Sequence, residues 1–172
     1  GTRLVYTDPR RFGMMDLIRP GESHKLLEHL GPEPLGEGWS GARLHGSIRD
    51  RHVSIKSALL NQQIVVGIGN IYASEILFRS GISPKRLAKN ISLNMANEIY
   101  RQTQLVLLTA IEAGGSTLKD GQFKQLDGDL GYFPHEFSVY DREGLVCTEP
   151  NCQNLIKKLK SYKVNIFGLR KN

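Results

Sequence analysis

The sequence predicts a mainly α protein with small β elements, and three observations carry the prediction. Met95, Ile99, Val106 and Ala110 lie on one stripe of a long helix that starts after the cap Ser92 and runs to Ala113. Shorter amphipathic segments and a Gly-rich turn fill residues 40 to 79. Alternating, turn-bounded runs of the kind that form strands occur only towards the two ends.

Taken in order, Arg3 to Thr7 and Met14 to Ile18 read as short strands joined through Asp8-Pro9-Arg10-Arg11-Phe12-Gly13. Pro9 and Gly13 punctuate that loop, which displays Arg10, Arg11 and Phe12 on a turn. A first strand without an upstream partner reads as the edge of a larger sheet. A short helix over Ser23 to Leu30 precedes Gly31-Pro32-Glu33-Pro34-Leu35-Gly36, whose prolines cannot continue a helix. The domain boundary falls there, giving units 1–31, 32–134 and 135–172.

Ser40 to Asp50 and Val53 to Gln62 are short amphipathic helices. The run Ile64-Val65-Val66-Gly67-Ile68-Gly69 follows, then a helix from Asn70 to Arg79 that Gly81 and Pro84 close. Gly114-Gly115 ends the long helix. Ser116 to Pro134 is rich in Gly, Asp and Gln without apolar period, the pattern of an exposed, mobile loop. Phe137-Ser138-Val139-Tyr140 alternates as a strand, Asp141 to Gly144 turns, and Leu145-Val146 begins the return strand that delivers Cys147.

At 172 residues the chain can bury a core without crosslinks, and with 40% hydrophobic and 23% charged residues it sits in the ordinary globular range. No segment approaches the ~20 apolar residues of a membrane span. The opening GTRLVYTDPRRFG lacks the basic-then-apolar order of a signal peptide, so the expected compartment is the cytoplasm. The net charge of +6 resides in the tail: residues 153 to 172 hold Lys157, Lys158, Lys160, Lys163, Arg170 and Lys171 and no acid. Such a tail, with Tyr162 and Phe167, is either a solvated terminus or a surface for a polyanion such as nucleic acid.

Three groups of residues could carry function. Gly67-Ile68-Gly69-Asn70 lies between two helices, where glycines permit close approach and the helix start offers outward N–H groups to a phosphate. Tight packing is the alternative, and the pattern is neither a dinucleotide fingerprint nor a P-loop. Arg10, Arg11 and Phe12 combine cations with an apolar wedge of the sort that enters kinked DNA; a salt-bridged hairpin loop is the alternative. Cys147 and Cys152 follow a strand and a Gly turn, the setting of half a zinc ribbon, or else remain two reduced thiols. After Cys152 there is neither Cys nor His, and upstream only His135 is near in sequence.

Five motifs occur in one order: Asp8-Pro9-Arg10-Arg11-Phe12-Gly13, Leu30-Gly31-Pro32-Glu33-Pro34-Leu35, Gly67-Ile68-Gly69-Asn70-Ile71-Tyr72-Ala73-Ser74-Glu75, Gly115-Ser116-Thr117-Leu118-Lys119-Asp120 and Gly131-Tyr132-Phe133. In that order the chain resembles bacterial formamidopyrimidine-DNA glycosylase over residues 2 to about 156. The resemblance implies a helix, two-turn, helix DNA-binding domain, preceded by a remnant of a β-sandwich domain and followed by a degenerate β-hairpin zinc finger. It implies base-excision repair of duplex DNA: an oxidised purine such as 8-oxoguanine or a formamidopyrimidine is flipped out, its glycosidic bond is cleaved, and the strand is cut by β,δ-elimination. Asn70, with Gly67 and Gly69, would bind phosphate, Arg10 would face the orphaned cytosine, Phe12 would wedge beside it, and Arg11 would approach phosphate. Thr117, Lys119, Gly131, Tyr132 and Phe133 would belong to the loop over the extruded base. Cys147 and Cys152 would belong to the finger, whose zinc is expected to be absent or partial here.

Departures from the family are equally visible. The resemblance implies a nucleophilic N-terminal proline followed by glutamate, whereas this chain begins Gly1-Thr2, so the chain alone is expected to bind DNA as a monomer without catalysis. Lys160-Ser161-Tyr162-Lys163 stands where a Gly-Arg-Ser-Thr-like turn and a second Cys-x-x-Cys belong, and the last dozen or more residues are expected to lack order. Gln63 occupies a place where a basic residue is common. Two rival readings are an endonuclease VIII-like enzyme for oxidised pyrimidines, against which Arg10, Phe12 and the long loop argue, and a non-enzymatic helical nucleic-acid-binding module.

Overall fold

Serine hydroxyls start three of the helices. Ser40 Oγ accepts the N–H of Arg43 at the head of α1 (Gly41–Ile48), Ser54 Oγ that of Ser57 at α2 (Ile55–Leu59), and Ser92 Oγ that of Met95 at α4 (Leu93–Glu112). Between them lies α3 (Asn70–Arg79), which begins at Gly69 with no side-chain cap. The computed structural model describes residues 3, 5–8, 11, 13–115, 137–160 and 165–167. Within these, a single turn of 3-10 helix, Ala88–Asn90, precedes α4, and two three-residue strands, β1 (Lys158–Lys160) and β2 (Asn165–Phe167), pair antiparallel with Leu159 opposite Ile166.

The core lies where α1 and α3 pack on α4. Leu44 and Ile48 of α1, Ile76 and Leu77 of α3, and Ile99 and Val106 of α4 are all buried, joined by Ile55, Leu59, Ile68 and Ile91. Each such side chain contributes roughly 1.5–3 kcal/mol of apolar burial. Gly41 permits the closest helix contact, because a Cβ there would stand 2.6 Å from Asn97 Cα. At its far end α4 stops on Gly114 and Gly115; Gly115, at φ +90°, returns its N–H to Ala110 O at 2.8 Å. A second apolar cluster of Phe78, Val139 and Ile156 joins the back of α3 to the segment after residue 137.

The Pro-rich segment is fastened along its length. Gly31 N donates to Gln62 O at 2.7 Å, Val66 N donates to Pro32 O at 3.1 Å, and the Gln104 side chain of α4 donates to Pro34 O. The segment is therefore held against the helical unit by hydrogen bonds to its backbone at Gly31, Pro32 and Pro34.

Five sequence expectations are corrected. The described residues of 3–8 and 13–18 form no strand: Val5, Met14, Met15 and Leu17 are exposed, and a strand has nothing to hydrogen-bond to without a neighbour. Residues 23–30 form turns, with Leu27 N and Glu28 N both bonded to His24 O, because no apolar face of that segment is buried. Phe137 to Tyr140 is not a strand either; the N–H groups of its last three residues are taken by a side chain, described below. Residues 165–167 form strand β2 within the tail expected to lack order, whose residues 161–164 and 168–172 lie outside the described ones. Finally, Leu145-Val146 does not return as a strand against 137–140; Val146 instead forms an isolated antiparallel bridge with Leu155, and Cys147 N donates to Asn154 O at 2.9 Å.

Candidate nucleic-acid interface

The Gly67 to Asn70 corner is built by Gln62. Its Oε1 accepts Gly67 N at 2.7 Å and its Nε2 donates to Ile68 O at 3.3 Å, so one amide clasps both polar edges of the turn. Ile68 is pulled into the core, and Gly67 adopts φ +82°, a left-handed conformation that glycine takes without strain. Gly69 has φ −97° and an exposed backbone, with open space where a Cβ would stand among the described residues. The first-turn N–H groups of α3 therefore face outward without a side-chain cap, and the helix dipole adds partial positive charge there.

Asn70 sits at that start, half-buried, with its Oδ1 buried and without a hydrogen-bond partner among the described residues. Such a group costs roughly 1–3 kcal/mol. A half-turn about the side-chain torsion exchanges this oxygen for the amide's NH2 donor. Beneath the same turn, Asn70 O accepts Ser74 Oγ at 2.7 Å, and Ser74 Oγ in turn accepts Lys56 Nζ at 2.8 Å. Lys56, on α2, is only 1% exposed, and desolvation lowers its pKa to about 8. A cation thus lies under the open helix start.

Two residues beyond Asn70, Tyr72 lines an open cavity of about 410 Å³ with Leu35, Leu107, Ala110, Ile111, Gly114 and Gly115. Its lining is largely apolar, and Gly114 and Gly115, which end α4, form part of it.

Arg11 is placed separately, on an exposed turn that Asp8 organises: Asp8 O accepts Arg11 N at 3.2 Å and Asp8 Oδ2 accepts Gly13 N at 2.6 Å. Arg11 has φ +56°, a left-handed backbone unusual for arginine. These bonds are local to the turn and do not tie it to Asn70. Arg10 and Phe12 lie outside the described residues, as do Thr117, Lys119, Gly131, Tyr132, Phe133 and His135.

The two thiols face one another in their hairpin. Burial, then the neighbouring Cys152, holds the Cys147 thiol above its ordinary range, and Asn154 Nδ2 donates to Cys152 Sγ at 3.7 Å. Among the described residues no three His, Cys, Asp or Glu side chains gather as a metal site. Two thiols are half of a tetrahedral zinc set, so the described residues do not fit the ion on their own and no chemistry is assigned to it.

Sequence reasoning missed Gln62, Lys56, Ser74 and Glu75. Glu75 is fully buried and accepts the N–H groups of Ser138, Val139 and Tyr140 at 2.8, 2.9 and 2.7 Å. The available signal was a charge inside an apolar run: Lys56 between Ile55 and Ala58-Leu59, and Glu75 before Ile76-Leu77-Phe78. No described helix is long and apolar enough to cross a membrane.

Comparison with known proteins bears on this geometry. Residues 30–122 match the family model described as formamidopyrimidine-DNA glycosylase H2TH domain. Formamidopyrimidine-DNA glycosylases of Cereibacter sphaeroides and Paracoccus denitrificans are 49% and 46% identical over 92% of this chain, which spans 56% of each relative's length. The crystal structure of the MutM (Fpg) protein from Thermus thermophilus superposes with a TM-score of 0.86 at 38% identity, over 93% of this chain and 60% of that one. A Lactococcus lactis Fpg mutant in complex with Fapy-dG containing DNA superposes at 0.73, with 27% identity, over 83% and 51%.

Proposed function

Since the chain belongs to the formamidopyrimidine-DNA glycosylase family, we propose that its helical unit grips duplex DNA containing an oxidised purine during base-excision repair. The observation that carries this reading is the uncapped start of α3, where Gly69 leaves the backbone open and Asn70 holds a buried amide oxygen without a partner among the described residues. A backbone phosphate supplies what that corner lacks: negative charge at the helix start and acceptors for its N–H groups.

In this reading Arg11 meets a neighbouring phosphate, Arg10 faces the base left opposite the lesion, and Phe12 wedges into the gap. The extruded base enters beside Tyr72, and Thr117, Lys119, Gly131, Tyr132 and Phe133 belong to the loop that closes over it. The family's glycosylase and lyase chemistry, with β,δ-elimination, is assigned to residues beyond these 172, and none of the described side chains is given the role of nucleophile. Residues 1–31 are the remainder of a β-rich domain, 32–134 the helix, two-turn, helix domain, and 135–172 a degenerate zinc-finger hairpin with its basic tail. The protein works as a monomer in the cytoplasm, and zinc is absent or partial.

The test is binding of the 172-residue chain to a duplex with 8-oxoguanine opposite cytosine, read by fluorescence anisotropy across a salt series. Affinity is expected to fall with salt at roughly −0.9 per phosphate neutralised. Borohydride trapping on the same duplex is expected to yield no covalent adduct. A salt-independent affinity, or no binding at all at low salt, refutes the reading.

A further inference from the structure

We propose that Lys56 is a positioning residue of the phosphate site: from inside the protein it fixes the first turn of α3 through Ser74 and supplies that turn with a cation screened from solvent. The inference rests on the reading of Asn70 as a phosphate ligand and extends it to a residue that never touches DNA.

Three observations carry it. Lys56 is 1% exposed, yet its ammonium donates to Ser74 Oγ at 2.8 Å, and Ser74 passes the bond on to Asn70 O at 2.7 Å. Lysine is among the residues least often fully buried, because its charge is costly to strip of water. The chain of bonds also ends on a residue whose amide oxygen is left without a partner, among the described residues, at the mouth of the turn. A core that needed only volume here would be served by methionine or leucine.

The charge acts on both partners. Hydrogen-bonded to Ser74, it holds the hydroxyl oriented onto Asn70 O and so fixes the residue that aims the site. As a cation under the positive end of a helix, it raises the potential met by an arriving phosphate, and salt screens a buried charge poorly. Burial lowers its pKa to about 8, which leaves it mostly protonated at neutral pH.

The experiment compares the full chain with Lys56→Met, Ser74→Ala and Asn70→Ala, each measured for affinity to a fluorescein-labelled duplex at two salt concentrations and for thermal unfolding. Lys56→Met keeps the length of the stem and removes the charge. It is expected to bind about tenfold more weakly at both salts, with an unchanged salt slope because no counterion-releasing contact is lost, and with a Tm no lower than the parent's. Ser74→Ala is expected to weaken binding about threefold and to stay folded. Parent-like affinity of Lys56→Met beside a weakened Asn70→Ala overturns the inference while leaving the phosphate site intact. Parent-like affinity of Asn70→Ala refutes the site and the role of Lys56 with it. A loss of affinity in Lys56→Met that comes with a lowered Tm assigns the lysine to packing alone. Should Lys56→Met fail to fold, parent-like affinity of Ser74→Ala overturns the proposal.

Discussion

Glu75 Oε1, inside α3, accepts the main-chain N–H of Tyr140 at 2.7 Å, and the same carboxylate holds Val139 and Ser138. A single buried side chain thus satisfies three consecutive backbone donors, the part a neighbouring strand plays in a sheet. Arg79, one turn on, stands 4.0 Å from Oε2. Phe137 and Tyr140 close over the joint with their rings edge to face, 5.5 Å apart.

Glu75→Gln is therefore expected to be costly. The amide keeps one acceptor and turns an NH2 towards backbone donors, so bonds to a charged group are lost and an N–H is left buried. The expected loss is about 3 kcal/mol. Urea unfolding checks it; a loss below about 0.5 kcal/mol, the range of neutral surface changes, would show that the three bonds are not what ties this segment to α3.

Lys56 gives stability a pH dependence of definite sign. Its folded pKa, about 8, lies below the ordinary 10.5, so between these values the unfolded chain holds the proton more firmly. Stability contributed by this group accordingly rises with pH from about 8 to 10.5, by on the order of 3 kcal/mol at most. Below that window the cost of the buried charge is felt in full, and above it the cost is gone. Subtracting the stability profile of Lys56→Met from that of the parent isolates the effect. A flat difference across the window contradicts it.

The two glycines of the turn separate backbone strain from access. At Gly67 an alanine meets no neighbour but must adopt φ +82°, so Gly67→Ala is expected to lose roughly 1–2 kcal/mol of stability. At Gly69, with φ −97° and open space around a Cβ among the described residues, Gly69→Ala is expected to stay folded at the modest cost of an alanine at a helix N-cap. Its methyl occupies the approach to the N–H groups of α3, so its DNA affinity is expected to fall several-fold. Thermal unfolding and anisotropy on both variants check the pair; undiminished affinity in Gly69→Ala would mean that nothing approaches the helix start from that side.

Metal analysis of the purified chain is expected to find well under one zinc per chain. Cys147 and Cys152 are two ligands where a structural site closes with four, and burial raises the pKa of the Cys147 thiol, which disfavours the thiolate a metal needs. One zinc per chain would show that residues beyond the described ones complete the set.

The helices were legible in the sequence because their signals are local. Ser92 caps where expected, Asn70 and Arg79 bound their helix as read, and the Ile99, Val106, Ala110 stripe faces the core. The Gly67 to Asn70 turn was legible too, since glycines before a helix start are a local pattern. What sequence could not supply is long-range pairing. Val139 reads as a strand residue because its neighbours alternate, and nothing nearby announces that an acid 64 residues upstream has claimed its N–H. Lys56 likewise shows in the sequence only as a charge inside an apolar run, and its partner Ser74 lies 18 residues away on α3. The strands expected at Arg3 and Met14 failed for the converse reason, since a local strand pattern requires a partner.

The most direct measurement of the central claim sets Asn70→Ala against deletion of residues 157 to 172, both read by fluorescence anisotropy on damaged and undamaged duplex at two salt concentrations. If the start of α3 holds a phosphate, Asn70→Ala costs about 1–3 kcal/mol of binding, equally for the two duplexes because phosphate carries no base information, and the truncated chain still binds. If Asn70→Ala binds like the parent and removal of the Lys157 to Lys171 tail abolishes binding, the basic tail supplies the attraction and the account of the α3 corner is wrong.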